Sequence, residues 1–138
     1  MFPKILAIFF IAHGLVHAGL AAAPIPNDPN PKPGDFFTAA VRSWLLPKLG
    51  FQVAAIRWVG IGLVVLATIA FISTGLGIFG VQGLNSIWRT AAVAGAGGSL
   101  LLLLVFWHPW LIVGVTLDIV ILISLLWYGQ MAVIAQLP

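Results

Sequence analysis

The stretch FQVAAIRWVGIGLVVLATIAFISTG, residues 51–75, is apolar almost throughout and contains one charged residue, Arg57. In a helix that rises about 1.5 Å per residue, about 20 such residues are enough to cross the hydrocarbon core of a bilayer. Three further apolar runs of comparable length lie at residues 3–23, 86–107 and 110–134. The sequence therefore predicts an all-α integral membrane protein with four transmembrane helices in an up-down bundle.

The composition of the whole chain supports this prediction. Of its 138 residues, 62% are hydrophobic and 7% are charged, whereas a soluble domain carries about a quarter charged residues. We therefore expect a single membrane domain, residues 1–138, with the lipid bilayer as its main surroundings. The absence of cysteine excludes disulfides and thiolate sites, and six Lys and Arg residues are too few and too scattered for a nucleic-acid surface.

The first connection, residues 24–50, is long and begins with the proline-rich segment PIPNDPNPKPGD. Its prolines disfavour a helix and favour an extended path. After it, Asp35 is a candidate N-cap for a short amphipathic helix that lies in the membrane interface. The residues that recur there at helical spacing are Phe37, Val41, Trp44, Leu45 and Lys48.

The basic residues predict an orientation. Those on the side of the first loop are Lys32, Arg42, Lys48 and Arg57, and those on the opposite side are Lys4 and Arg89. The positive-inside rule then places the first and third loops in the cytoplasm, although Lys4 ahead of the first span argues for the reverse. The first span also resembles a secretory signal, but Pro24 would hinder cleavage, so we expect the span to be retained.

Most ionisable side chains of the spans fall in the same half of the bilayer: His13, His17, Arg57, His108 and Asp118. A carboxylate that faced lipid would cost several kcal/mol, so we expect Asp118 to face the bundle interior. Arg57 is the favoured partner, because its charge is permanent and its side chain is long, and His17 is the second choice. The sequence thus predicts a structural polar cluster of Arg57, Asp118 and His17.

His13 and His17 are four residues apart, so both rings project from one face of the first helix. One interpretation is structural, in which hydrogen bonds and small residues hold the helices together. The small residues of the third span recur as Ala91, Gly95 and Ser99.

The other interpretation is a ligand site. His13, His17 and His108 are candidate ligands for a haem, a chlorophyll-type ring or a quinone. With Asp118 they could also hold zinc, iron or copper, although Gly14 replaces the glutamate of the HExxH motif and so excludes that type of zinc protease.

His108 has a simpler interpretation too, as a polar ring that bonds the last carbonyls of the third helix. No phosphate-binding loop is present, and no serine lies evidently within reach of a histidine as a nucleophile.

The segments AHGLVH, residues 12–17, and FWHPWLIVGVTLDIVILISLL, residues 106–126, resemble a group of small bacterial proteins with four transmembrane helices. Members are loosely labelled as ABC-permease-like. The length and layout are also similar to those of DoxX-type proteins, which are linked to quinone-coupled oxidation. The resemblance implies a bacterial inner-membrane protein.

Three functions follow as hypotheses. The first is a non-catalytic accessory or scaffolding subunit of a larger membrane complex or homo-oligomer, because the chain has little surface except the one that it shows to lipid or to other subunits. The second is a redox or pigment-binding subunit that uses His13 or His17. The third is a small proton-coupled transporter that uses Asp118 and Arg57.

Overall fold

A computed structural model describes residues 2–25, 29–30, 34 and 36–134, with the side chains of residues 128–134 left out. Its four α-helices are α1 (Phe2–Ala22), α2 (Val53–Ile78), α3 (Trp88–Val105) and α4 (Ile112–Ile134). Each is long and apolar enough to cross a membrane, the fourth when it is counted from Pro109. The described residues contain no strand, so the prediction of an all-helical fold with four helices that could span a membrane is confirmed. Their insertion into a membrane stays a prediction.

The helix boundaries lie within a few residues of the predicted spans, and each has a local cause. Gly80, which follows the C-cap residue Phe79 of α2, has φ +88°, a backbone conformation that a residue with a side chain rarely adopts. Pro109 begins a short 3₁₀ turn, Pro109–Leu111, that leads into α4, because it needs no hydrogen-bond partner for its nitrogen. These two signals separate the helices while leaving only short connections between α2, α3 and α4.

The helices pack in sequence order, α1 on α2, α2 on α3 and α3 on α4. Glycines mark the close contacts and show that neighbouring helices are antiparallel. Gly14 of α1 lies against Thr68 of α2, whereas Gly75, near the other end of α2, lies against Ala7. Gly95 of α3 meets the ring of Phe71. Small residues thus let the helices approach closely, as in membrane bundles.

The buried positions form one stripe along each helix, as a bundle requires. On α4 the stripe is Leu111, Val115, Asp118 and Ile121, counting the 3₁₀ turn, and on α1 it includes His13 and His17. The opposite faces carry exposed, large apolar side chains. The interior therefore contains a few polar groups, while the exterior of the helices is mainly apolar.

The prediction of an interfacial helix in the first connection is wrong. The connection contains turns and a 3₁₀ helix of three residues, Ala40–Arg42, and its apolar side chains do not share a face. Phe36 and Phe37 are buried in the core at one end of the bundle, whereas Val41 is 83% exposed. Tertiary packing of the two phenylalanines thus overrides the helical spacing. The predicted N-cap Asp35 and the basic residue Lys32 lie outside the described residues.

Two side chains fasten this connection to the end of α3. Arg42 donates hydrogen bonds to the carbonyl oxygens of Phe36 and Phe106, each at 3.3 Å, and Trp44 donates to the carbonyl oxygen of Leu104 at 2.7 Å. Burial lowers the pKa of the Arg42 guanidinium. The guanidinium lies 4.7 Å from the centre of the Phe36 ring, so a cation–π contact supports the same attachment.

The glycine contacts give a testable prediction for the α1–α2 interface. In Gly75→Ala, the new methyl group would lie 2.5 Å from the Ala7 carbonyl oxygen and 2.5 Å from a side-chain carbon of Ile11. We expect a loss of about 1–3 kcal/mol of unfolding free energy, the usual cost of overpacking. Unfolding of the purified protein in detergent or bilayers would measure it.

Gly62→Ala is the matched control, because it lies in the same helix and has no neighbouring atom within 4 Å of the new methyl group. That variant should be at least as stable as the parent, because alanine favours a helix more than glycine does. Equal stability of both variants would mean that α1 and α2 do not pack in this register.

Candidate functional site: a buried His–Ser–Asp cluster

Three helices bring four polar side chains together inside the bundle. His13 and His17 come from one face of α1, Ser99 from the small-residue stripe of α3, and Asp118 from the buried stripe of α4. Their exposed fractions are 8%, 2%, 0% and 0%, in that order. We call these four residues the polar cluster.

The four side chains of the polar cluster form one hydrogen-bonded network that includes both carboxylate oxygens of Asp118. His13 Nε2 lies 3.1 Å from Asp118 Oδ1, and the Ser99 hydroxyl donates to Asp118 Oδ2 at 2.5 Å. Because Ser99 uses its proton there, it accepts from His17, whose Nε2 lies 2.9 Å away. Both carboxylate oxygens therefore have a donor, and the hydrogen bonds assign a proton to Nε2 of each ring.

Nδ1 of His17 is a fully buried atom of the polar cluster that has no partner. With the proton on Nε2, Nδ1 of His17 carries a lone pair, and this buried atom has no hydrogen-bond partner in the structure. A buried polar atom that lacks a partner carries a cost of about 1–3 kcal/mol. His17 Nδ1 is therefore a buried position of the cluster where a further donor or a cation would gain an interaction.

Aromatic rings surround the two imidazoles. The His13 ring stacks on Phe9, with 5.7 Å between ring centres, and meets Phe71 edge-on at 4.7 Å. The His17 ring stacks on the same Phe71 at 5.9 Å. Phe71 thus fixes both rings from the side of α2, so all four helices take part in building the cluster.

Two of the residues predicted for the polar cluster, His17 and Asp118, are brought together, but the third is not. Arg57 is exposed and lines a recess of about 770 Å³ with residues of the first connection. The prediction that Arg57 is the partner of Asp118 is wrong, because Arg57 follows Ile56 of the buried stripe and so points away from the interior. The transporter hypothesis, which used this pair, loses the contact on which it was based.

His108 lies apart from the cluster. It precedes the 3₁₀ turn before α4, its Nδ1 accepts a hydrogen bond from the backbone nitrogen of Trp110 at 3.3 Å, and its ring lies near Phe36. His108 therefore caps the turn that follows it, instead of bonding the last carbonyls of α3 as predicted. The four-residue metal set that included it is not assembled.

Sequence reasoning missed the role of Ser99. The expectation that no serine reaches a histidine is wrong, since Ser99 contacts both His17 and Asp118. The order of the bonds nevertheless differs from that of a nucleophile triad, in which histidine stands between the serine and the acid. Here the serine stands between them, donates to the carboxylate and has no exposed surface. The available signal was the position of Ser99 on the small-residue stripe that faces a neighbouring helix.

Comparison with protein-family models, with curated proteins and with solved structures gave no match to this chain. The resemblance to small bacterial four-helix proteins and to DoxX-type proteins therefore stays a prediction, and the cluster must be interpreted from its own geometry.

The cluster predicts a graded loss of stability. Ser99→Ala removes the donor to Asp118 Oδ2 and the acceptor of His17, so we expect a loss of about 1–2 kcal/mol, in the upper part of the range for hydrogen bonds between membrane helices. Asp118→Ala should cost more, because it removes the acceptor of two buried donors. Unfolding in bilayers or mild detergent would measure both changes.

Ser73→Ala is a suitable control, because Ser73 is a half-buried serine of α2 outside the polar cluster. It should change the unfolding free energy by less than about 0.5 kcal/mol. If Ser99→Ala were as mild as Ser73→Ala, the hydrogen bonds of Ser99 would contribute nothing measurable to the fold.

Proposed function

We propose that the chain is a non-catalytic integral membrane protein that acts as an accessory or scaffolding subunit of a larger membrane complex. One observation supports the proposal: the buried side chains of the polar cluster are hydrogen-bonded to one another. Both oxygens of Asp118 are occupied by His13 and Ser99, and none of these groups opens to a substrate. The polar cluster is then a structural tie between α1, α3 and α4.

The outer helices supply the surface for a partner. In the stretch of α4 suited to span a membrane, 22% of the residues are buried, against 44% in α3. Most of α4 is therefore uncovered, and its exposed face is apolar, with Val113 at 64% and Ile123 at 59% exposure. Lipid covers such a face in an isolated chain, and an apolar helix of another subunit fits the same face.

The proposed location is the inner membrane of a bacterium, as the resemblance implies, with the first and third loops in the cytoplasm. The basic residues Arg42 and Lys48 lie in the first connection and Arg57 lies near the start of α2, which supports this orientation through the positive-inside rule.

Site-specific photo-crosslinking in native membranes tests the subunit proposal. A photo-reactive residue at exposed position 113 should give a discrete protein adduct, whereas one at buried position 115 should not, because Val115 is 8% exposed on the same helix. Blue-native electrophoresis after gentle solubilisation should show the chain in a band larger than the monomer. A free monomer and no adduct from position 113 would overturn the proposal.

A second candidate function is a metal-binding membrane subunit, which follows the metal-ligand interpretation of the two histidines and Asp118. His13, His17 and Asp118 each offer a ligand atom, and these atoms lie within 4.8 Å of one another. Around an ion with bonds of about 2.0–2.1 Å, ligand atoms lie about 3.4 Å apart, close to the 3.1 Å between His13 Nε2 and Asp118 Oδ1. A small movement of His17 would complete a set of two nitrogens and one oxygen.

A bare ion fits this site better than a haem or chlorophyll-type ring does. Phe9 and Phe71 pack on His13, and Asp118 occupies its Nε2, which leaves no flat space at that nitrogen for a macrocycle. Two imidazoles and a carboxylate suit zinc, iron or copper.

Metal analysis of the purified protein separates the two candidates. The metal-binding function predicts about one transition-metal ion per chain, and loss of that ion in His17→Ala and Asp118→Asn, because each variant removes a ligand. His108→Ala is the matched control and should keep the ion, since His108 lies outside the cluster. Parent protein without stoichiometric metal, even after incubation with Co²⁺ or Zn²⁺, would leave the structural tie as the function of the cluster.

A further inference from the structure

A groove of about 810 Å³ lies between α1 and α4. It exists because α1 and α4 are not among the closely packed helix pairs. Side chains connect the two helices instead, among them Phe10 and Ile121 in the core and the hydrogen-bonded pair of His13 and Asp118. The apolar walls include Leu6 and Phe10 of α1 and Leu117, Ile121 and Leu125 of α4. An extended hydrocarbon chain matches such walls.

One end of the groove is positively charged. Arg89, in the first turn of α3, lines this end and is exposed, and its guanidinium lies 5.3 Å from the centre of the neighbouring Trp88 ring. The one acidic residue among those that the structure describes is Asp118, and His13 and Ser99 occupy its two oxygens. The described part of the chain therefore offers Arg89 no carboxylate.

The helix end beside Arg89 favours an anion as well. The N-cap residue of α3 is Ile87, and no side chain caps the helix there. The first backbone N–H groups of a helix are free to bind an anion, and the helix dipole adds to the attraction. A guanidinium and these N–H groups together suit a phosphate group.

We propose that this groove binds an anionic phospholipid, with the phosphate on Arg89 and the first turn of α3 and one acyl chain between α1 and α4. The proposal rests on the membrane location proposed above. It assigns a headgroup preference to one site, which general contact of apolar helices with lipid does not provide.

Native mass spectrometry of the full chain in detergent tests the headgroup preference. Titration with phosphatidylglycerol and with phosphatidylcholine of the same acyl chains should show at least fivefold tighter binding of the anionic lipid at the first site. Arg89→Gln should reduce this preference to near unity. Arg57→Gln is the matched control, because Arg57 is also exposed but lies beside a different recess, and it should retain the preference.

A second pair of variants tests the acyl-chain site. Ser124 is exposed and lies on the wall of the groove, so Ser124→Trp should fill the groove and weaken the first binding step of both lipids at least fivefold. Thr116→Trp, at an exposed position of α4 outside the groove, should leave binding unchanged.

Equal binding of the two lipids, or equal losses in Arg89→Gln and Arg57→Gln, would overturn the inference. Equal effects of the two tryptophan variants would overturn it as well. Alkaline extraction of native membranes tests the location separately. A chain released by this treatment would contradict the membrane location, whereas a retained chain without headgroup preference would contradict only the lipid site.

Discussion

The structure depends on the burial of one carboxylate. Asp118 has no exposed surface, and an ionised carboxylate in apolar surroundings costs several kcal/mol unless charge or hydrogen bonds compensate. The chain compensates with donors from two other helices, so the position of Asp118 determines how α1, α3 and α4 are rotated. A shift of one residue along α1 would turn His13 by about 100° and break the contact. The polar cluster thus selects one register among the many that apolar helices allow.

The same constraint explains why the first and last helices hold together. Helices in lipid gain no hydrophobic free energy from association, so packing and polar contacts must supply it. Between α1 and α2 and between α2 and α3, glycines at positions such as Gly14 and Gly95 allow close packing. Between α1 and α4 the backbones stay farther apart, and the bond from His13 to Asp118 connects them. This polar contact therefore adds to the apolar contact of Phe10 and Ile121 where the helix backbones do not pack closely, and the groove is lined by the same two helices.

The sequence predicts the helices well because hydropathy and length act within each segment, without reference to neighbours. It predicts the partners of Asp118 less well, because partners depend on how each helix is rotated. Arg57 has the right charge and depth but lies on the exposed side of α2, and the sequence does not show how that helix is rotated. Ser99 has an ordinary side chain, and the only sign that it faces a neighbouring helix is its position among the small residues of α3. The prediction of a helix in the first connection is wrong for a related reason, since Phe36 and Phe37 pack into the core instead of following the spacing of an isolated helix.

A structural tie and a ligand site place opposite requirements on the hydrogen-bonding groups of the same residues. A tie is most stable when every donor and acceptor is satisfied inside the chain, whereas a ligand site keeps some of them free. The cluster comes close to the first condition, since Asp118, Ser99, His13 and one nitrogen of His17 are bonded. The fully buried Nδ1 of His17 departs from it. Because both oxygens of Asp118 have donors and its side chain has no exposed surface, the geometry fits a structural tie better than an open pocket.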